Sequence, residues 1–180
     1  MGNNWKITDT LTKVFADEVP DGQGSIRLST LHRETVSCVI AYFGAADWGR
    51  YWKVSVKAPE KIETRLRRVE LVPSAYPCHK EQDDNYLRIV PGMYPDLLRD
   101  LDTEDDGADK KYLTKEVPGQ WRSLWLDVTV DAELAGGDYA IVIETETEDG
   151  EKETLKADLH VVDASLPPQK LLHTEWFPFR

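Results

Sequence analysis

The sequence predicts a mainly β fold, an antiparallel two-sheet β-sandwich of immunoglobulin-like type, and three observations carry that prediction. Apolar residues recur at every second position along several segments, the period of strands with one buried face. Helical periodicity is almost absent. Seven or more short apolar runs are separated by Gly, Pro and Asp, the spacing expected of a sandwich. The 180 residues, 41% hydrophobic, suit one domain with one substantial core.

Taken in order, residues 25–31 form the first candidate strand. Val36, Cys38, Ile40 and Tyr42 then alternate with smaller or polar neighbours, and Trp52, Val54 and Val56 alternate with Lys53, Ser55 and Lys57. From residue 62 to 71 the inward set is Ile62, Thr64 and Leu66 and then slips to Val69 and Leu71, so a β-bulge is expected near Arg67 or Arg68. Residues 86–90 read as a further strand. Pro95 and Asp96 before Leu97 and Leu98 suggest one short helical turn near 96–101, because Pro suits a first helical position and Asp complements the positive helix start. The acid-rich stretch 100–111 reads as a solvated loop.

Leu124, Leu126, Val128 and Val130 form the most regular aliphatic face and predict a central strand. Residues 139–145 and 155–161 flank Glu148-Asp149-Gly150-Glu151, where Asp-Gly supplies the positive φ that a tight hairpin needs. Pro167 and Pro168 then stiffen a joint after a sandwich ending near Val162. The expected organisation is a sandwich over 1–165 and, over 166–180, a linker and the start of a second domain. Leu171, Leu172, Trp176 and Phe177 in that short apolar stretch are the expected contact residues with the next domain. With that domain missing they would expose apolar surface, so homodimerisation or docking of the tail is expected.

Thirty-three acidic against twenty-two basic residues give a formal charge of -11, which repels nucleic-acid backbones and anionic membranes. Neither is expected as a partner. The N-terminus has no apolar signal-like run, no segment is long enough to span a bilayer, and Lys6 stands where a myristoylation motif wants Ser or Thr. A cytoplasmic location is expected. Cys38 and Cys78 are too few for a disulfide framework and lack the close spacing of a structural zinc site.

No catalytic residue emerges. Glycosidic chemistry needs two carboxylates held across a cleft, and the acidic residues cluster instead in loops and around the hairpin turn. Asp102, Glu104, Asp106 and Gly107 follow the opening of a calcium-binding loop, but its twelfth position is Leu113 rather than a bidentate Glu. His32, His79, His160 and His173 are scattered singly, and no nucleophile elbow or phosphate loop occurs. No metal or cofactor is expected. The richest ligand-binding pattern is aromatic: Trp48 and Tyr51 beside Gly49 and Arg50 could stack on a sugar, whereas Trp52 belongs to the inward set.

Three stretches carry a family resemblance: Arg33-Glu34-Thr35-Val36-Ser37, Val90-Pro91-Gly92-Met93-Tyr94-Pro95-Asp96-Leu97-Leu98, and Gln120 to Val128 continuing to Ala135-Gly136-Gly137-Asp138-Tyr139. In that order they resemble the N-terminal domain of bacterial proteins with a DUF4091 or glycoside hydrolase family 123-like catalytic region. Leu166-Pro167-Pro168-Gln169-Lys170 and His173-Thr174-Glu175-Trp176-Phe177 are similar to the linker and opening barrel strand of the family. The resemblance implies a non-catalytic accessory domain whose partner is the catalytic barrel of its parent chain. The alternative is a free-standing carbohydrate-binding or protein-interaction module.

Overall fold

The computed structural model describes residues 4–78, 86–105, 110–168 and 170. Eleven strands carry the fold: β1 (Trp5–Thr8), β2 (Ser25–His32), β3 (Thr35–Phe43), β4 (Tyr51–Lys57), β5 (Ile62–Ser74), β6 (Gly92–Asp100), β7 (Thr103–Asp105), β8 (Lys110–Lys115), β9 (Trp121–Val130), β10 (Gly137–Thr147) and β11 (Lys152–Ser165). They form two sheets. Sheet A has the order β1-β3-β9-β5-β6 and sheet B the order β2-β11-β10-β4-β8-β7. Every pairing is antiparallel except β2 with β11, which is parallel.

Alternation sets the inner faces. In β9, at the centre of sheet A, Leu124, Leu126 and Val128 are wholly buried. Cys38, Ile40 and Tyr42 lie beside them on β3, while Ile141 and Ile143 on β10 and Leu155, Ala157 and Leu159 on β11 close the core from sheet B. The β10–β11 hairpin turns at Gly150, whose φ of 83° is the left-handed conformation that glycine accepts without Cβ strain. Its register pairs Ile141 with Ala157 and Ile143 with Leu155, which aligns the aliphatic faces.

Three expectations are corrected. Residues 96–101 form no helical turn, because residues 96–100 belong to strand β6, which pairs with the long β5. Pro95 is compatible with that strand because β6 is a sheet edge, where a missing N–H need not break a ladder. Arg67 and Arg68 are in regular register with β9, and the irregularity falls instead between Glu70 and Leu71 on the β6 side. The slip in apolar periodicity has another cause: Leu66 pairs with Leu126 on the inner face, whereas Val69 pairs with Ser123 on the outer face and is buried there. Residues 86–90 form no strand. Arg88 is drawn away, stacking 3.9 Å over the Phe15 ring and ion-pairing with Asp17 and Glu18.

The two outer faces differ. Sheet B presents ion pairs to solvent, among them Lys53–Glu104 at 2.8 Å, Lys57–Glu144 at 2.7 Å and Lys152–Glu146 at 3.0 Å. Sheet A carries a second apolar cluster, in which Val39, Ala41 and Trp121 are buried with Val14 from the segment 9–20. That segment is held over the sheet by Asp9 Oδ1, which accepts the Leu11 and Thr12 amides at 2.9 Å, and by the Trp121 amide donating to the Ala16 carbonyl at 2.9 Å. Beyond Val69 the strands β5 and β6 continue as a two-stranded ribbon without β9.

Leu126 touches the core from the middle strand, so Leu126→Ala should cost about 3 kcal/mol, the usual result of a lost side chain and an unrelaxed cavity. Urea unfolding checks this, with a lowered midpoint and an unchanged slope expected. A loss below about 1 kcal/mol would contradict this core.

Candidate functional site

The predicted aromatic pair lies on one rim of the sandwich, where residues 44–50 meet residues 115–120. The approach is close. A Cβ on Gly44 would sit 2.1 Å from the Val117 carbonyl oxygen, and one on Gly49 would sit 2.6 Å from the Glu116 carbonyl oxygen. The backbone seals this contact: the Gly44 amide donates to Gln120 O at 3.0 Å and the Glu116 amide to Arg50 O at 2.9 Å.

Beneath the rim is a buried carboxylate. The Glu116 side chain is 1% exposed and accepts three hydrogen bonds: from Trp52 Nε1 at 2.7 Å, from Arg50 Nη2 at 3.1 Å and from Arg50 Nε at 3.3 Å. Arg50 also pairs with Glu151 from the β10–β11 turn and lies 5.3 Å over the Trp52 ring. Its hydrogen bonds to Glu116 foremost, and then to Glu151, raise the guanidinium above its already high pKa, so its charge is permanent. Trp52 in turn meets Trp5 edge-on at 5.1 Å, and Trp5 stacks on Tyr42 at 4.9 Å. The buried Tyr42 hydroxyl is satisfied by Thr114 Oγ1 at 2.8 Å.

Trp48 is 60% exposed and Tyr51 49% exposed, on either side of this anchored arginine. Lys115 Nζ lies 5.0 Å over the Tyr51 ring. The structure therefore keeps Trp52 in the core and leaves the other two rings at the surface. Leu171, Leu172, Trp176 and Phe177 lie outside the described residues. Sequence reasoning missed Glu116: it follows β8 with nothing local to distinguish it, and its partner Arg50 is 66 residues away.

A second polar group sits on the outer face of sheet A. Asp127 accepts hydrogen bonds from Ser37 Oγ at 2.7 Å, Trp125 Nε1 at 2.7 Å and Arg67 Nη2 at 2.5 Å. These contacts fix the Trp125 ring on the open sheet. Other candidates for chemistry are quiet. Burial foremost, with nearby Asp127, pushes the Cys38 thiol up to about 12, which removes it as a nucleophile near neutrality. Among the described residues no group of three His, Cys, Asp or Glu could hold a metal ion, and no helix is long and apolar enough to cross a membrane.

Against known proteins, the chain matches no protein-family model and no curated protein. Its fold is similar to that of a family 123 glycoside hydrolase from Clostridium perfringens, with a TM-score of 0.62 at 10% identity. The likeness covers 91% of this chain and 28% of that one, so this chain spans little more than a quarter of the glycosidase. Weaker likenesses include the N-terminal domain of PorA, at TM-score 0.44, 8% identity and coverage of 89% of this chain and 99% of that one. Another is the major pilin subunit of Bacillus cereus, at 0.41, 7% identity and coverage of 88% and 40%. The class defined here is a two-sheet β-sandwich whose fold is family 123-like.

Arg50→Ala leaves the Glu116 carboxylate buried with only Trp52 as a hydrogen-bond donor among its present side-chain partners. The expected loss is about 2 kcal/mol, less than for a fully enclosed pair because Arg50 borders solvent. Equilibrium unfolding measures it, and Arg50→Ala with Glu116→Gln should recover part of the loss.

Proposed function

We propose that this chain is the non-catalytic N-terminal accessory domain of a DUF4091 or glycoside hydrolase family 123-like protein, and that it packs against a catalytic barrel that follows it. The observation carrying this reading is the coverage of the likeness, nearly all of this chain against little more than a quarter of the glycosidase. The surface supports it. Tyr76, Leu87, Ile89, Val90 and Met93 are each at least 45% exposed along and beside the β5–β6 ribbon, a concentration of apolar side chains that suits a domain contact. A two-stranded ribbon alone is only marginally stable in water, so a contact there would stabilise it.

In this reading the domain orients the barrel and borders its cleft, and the acidic catalytic residues belong to the barrel. The test has two arms. Reading the source DNA beyond codon 180 should give an in-frame segment, and purified 180-residue chain should leave aryl glycosides intact. An immediate stop codon, or hydrolysis abolished by one Asp or Glu substitution in this chain, would overturn the proposal.

A second reading rests on Trp48 and Tyr51, exposed beside a rim whose backbone is locked by Gly44, Gly49 and the Arg50–Glu116 pair. Rigid exposed rings flanked by charged groups suit stacking on a sugar face. A glycan array should then give a binder whose affinity falls about tenfold in Trp48→Ala, in line with the loss of an aromatic contact. Silence across the array removes this reading.

A further inference from the structure

Two depressions on sheet A, of about 570 and 220 Å³, share Lys13, Pro95 and Asp96 in their lining and so form one groove. It runs between the 10–15 segment and β6. Its floor is aliphatic, with Val39 and Val69 at one end and Val72 at the other. Trp125, fixed by Asp127, bounds the first end, and Tyr94, packed edge-on to Phe15 at 5.7 Å, bounds the second. Lys13 and Asp96 stand midway, and neither has an ion-pair partner among the described residues. A mostly apolar groove with two opposite charges at its middle fits an extended apolar peptide bearing charge.

We infer that the groove is occupied in cis by residues 171–180 of this same chain. The inference rests on where the chain leaves the sandwich. Ser165 pairs with His32, the Leu166 amide donates to His32 O at 3.0 Å, and the next residue, Arg33, donates to Val130 O at 2.9 Å. The exit is therefore at the end of the sandwich where β9 finishes. Trp125 is five residues back along β9, about 17 Å at the strand rise, and the sheets are about 10 Å apart. Residues 167–180, extended, span roughly 45 Å, enough to round that end and enter the groove at Trp125.

Composition agrees with reach. Leu171, Leu172, Trp176, Phe177 and Phe179 supply apolar side chains for the valine floor, and Glu175 supplies the counter-charge for Lys13. Sheet B offers no equivalent, because its outer face is laced with ion pairs. The inference stands whether or not a catalytic domain follows, since it concerns only where the chain goes after Pro168. It also gives a following domain a direction, across sheet A towards the exposed ribbon.

Hydrogen exchange on the full chain tests it. Trp176→Ser with Phe177→Ser should lower amide protection in peptides covering 10–15, 95–98 and 123–125 by roughly tenfold, with β10 and β11 unchanged. Leu98→Glu, on the groove wall, should lower protection of residues 171–180 to the same degree without altering the core strands. Unchanged protection in both variants overturns the inference. Protection that appears only with a concentration-dependent dimer in sedimentation overturns the in-cis assignment and makes the occupant a second copy. A stop after codon 180 would remove the accessory-domain proposal and leave these outcomes untouched.

Discussion

Sheet A is apolar on both faces, and much of the molecule follows from that constraint. Its inner face packs against sheet B in the ordinary way. Its outer face carries Val39, Ala41, Val69 and Trp121, and leaving such side chains in water forfeits about 1.5–3 kcal/mol for each large one. The segment 9–20 meets part of that need, with Val14 and Phe15 laid over the sheet and the Asp9 turn setting its direction. Coverage stops at the groove bordering β6. Sheet B has no such need, because Lys, Glu and Asp alternate along its outer face and remain solvated. The asymmetry sets which side of the sandwich suits contact with more protein.

At the rim the governing group is the Glu116 carboxylate. A carboxylate taken out of water is tolerated only when its lone pairs are filled, and here Trp52 and the Arg50 fork fill them. Arg50 is in turn fixed by Glu151, so three separate chain segments meet at one charge. The close glycine contacts then follow, since the Arg50 loop must lie against the backbone of 115–120 for its side chain to reach inward. Trp48 and Tyr51 owe their exposed, fixed positions to this arrangement rather than to their own packing.

Much of the fold was legible because burial on one face writes a period of two into the chain. The β9 face, the β10–β11 hairpin with its Gly150 turn, and the inward Trp52 were readable this way. Where a second layer buries the other face, that period breaks. Val69 looked like a bulge because sequence cannot reveal that segment 9–20 covers the outer side of its sheet. β6 looked like a helix start because Pro95 and Asp96 suit that position locally, and the pairing with β5 that overrides them comes from residues more than twenty positions away. At the rim, exposure of Trp48 was legible from its polar neighbours, but the Arg50–Glu116 pair was not, because long-range partners leave no local pattern.

The exposed ribbon raises a physical problem, since β6 is an edge strand carrying apolar side chains, the combination that invites strand-to-strand aggregation. Its backbone counters that risk. Pro95 lacks an amide hydrogen, the irregularity at Glu70 and Leu71 breaks the even ladder beside it, and Arg99 and Asp100 put charge on the strand. Another strand therefore finds a poor template along the edge. The side-chain face, with Met93 and Leu97 exposed, has no comparable protection. A strand defended along its edge but open on its face is suited to contact through side chains with a folded surface, which is the geometry that docking of a neighbouring domain requires.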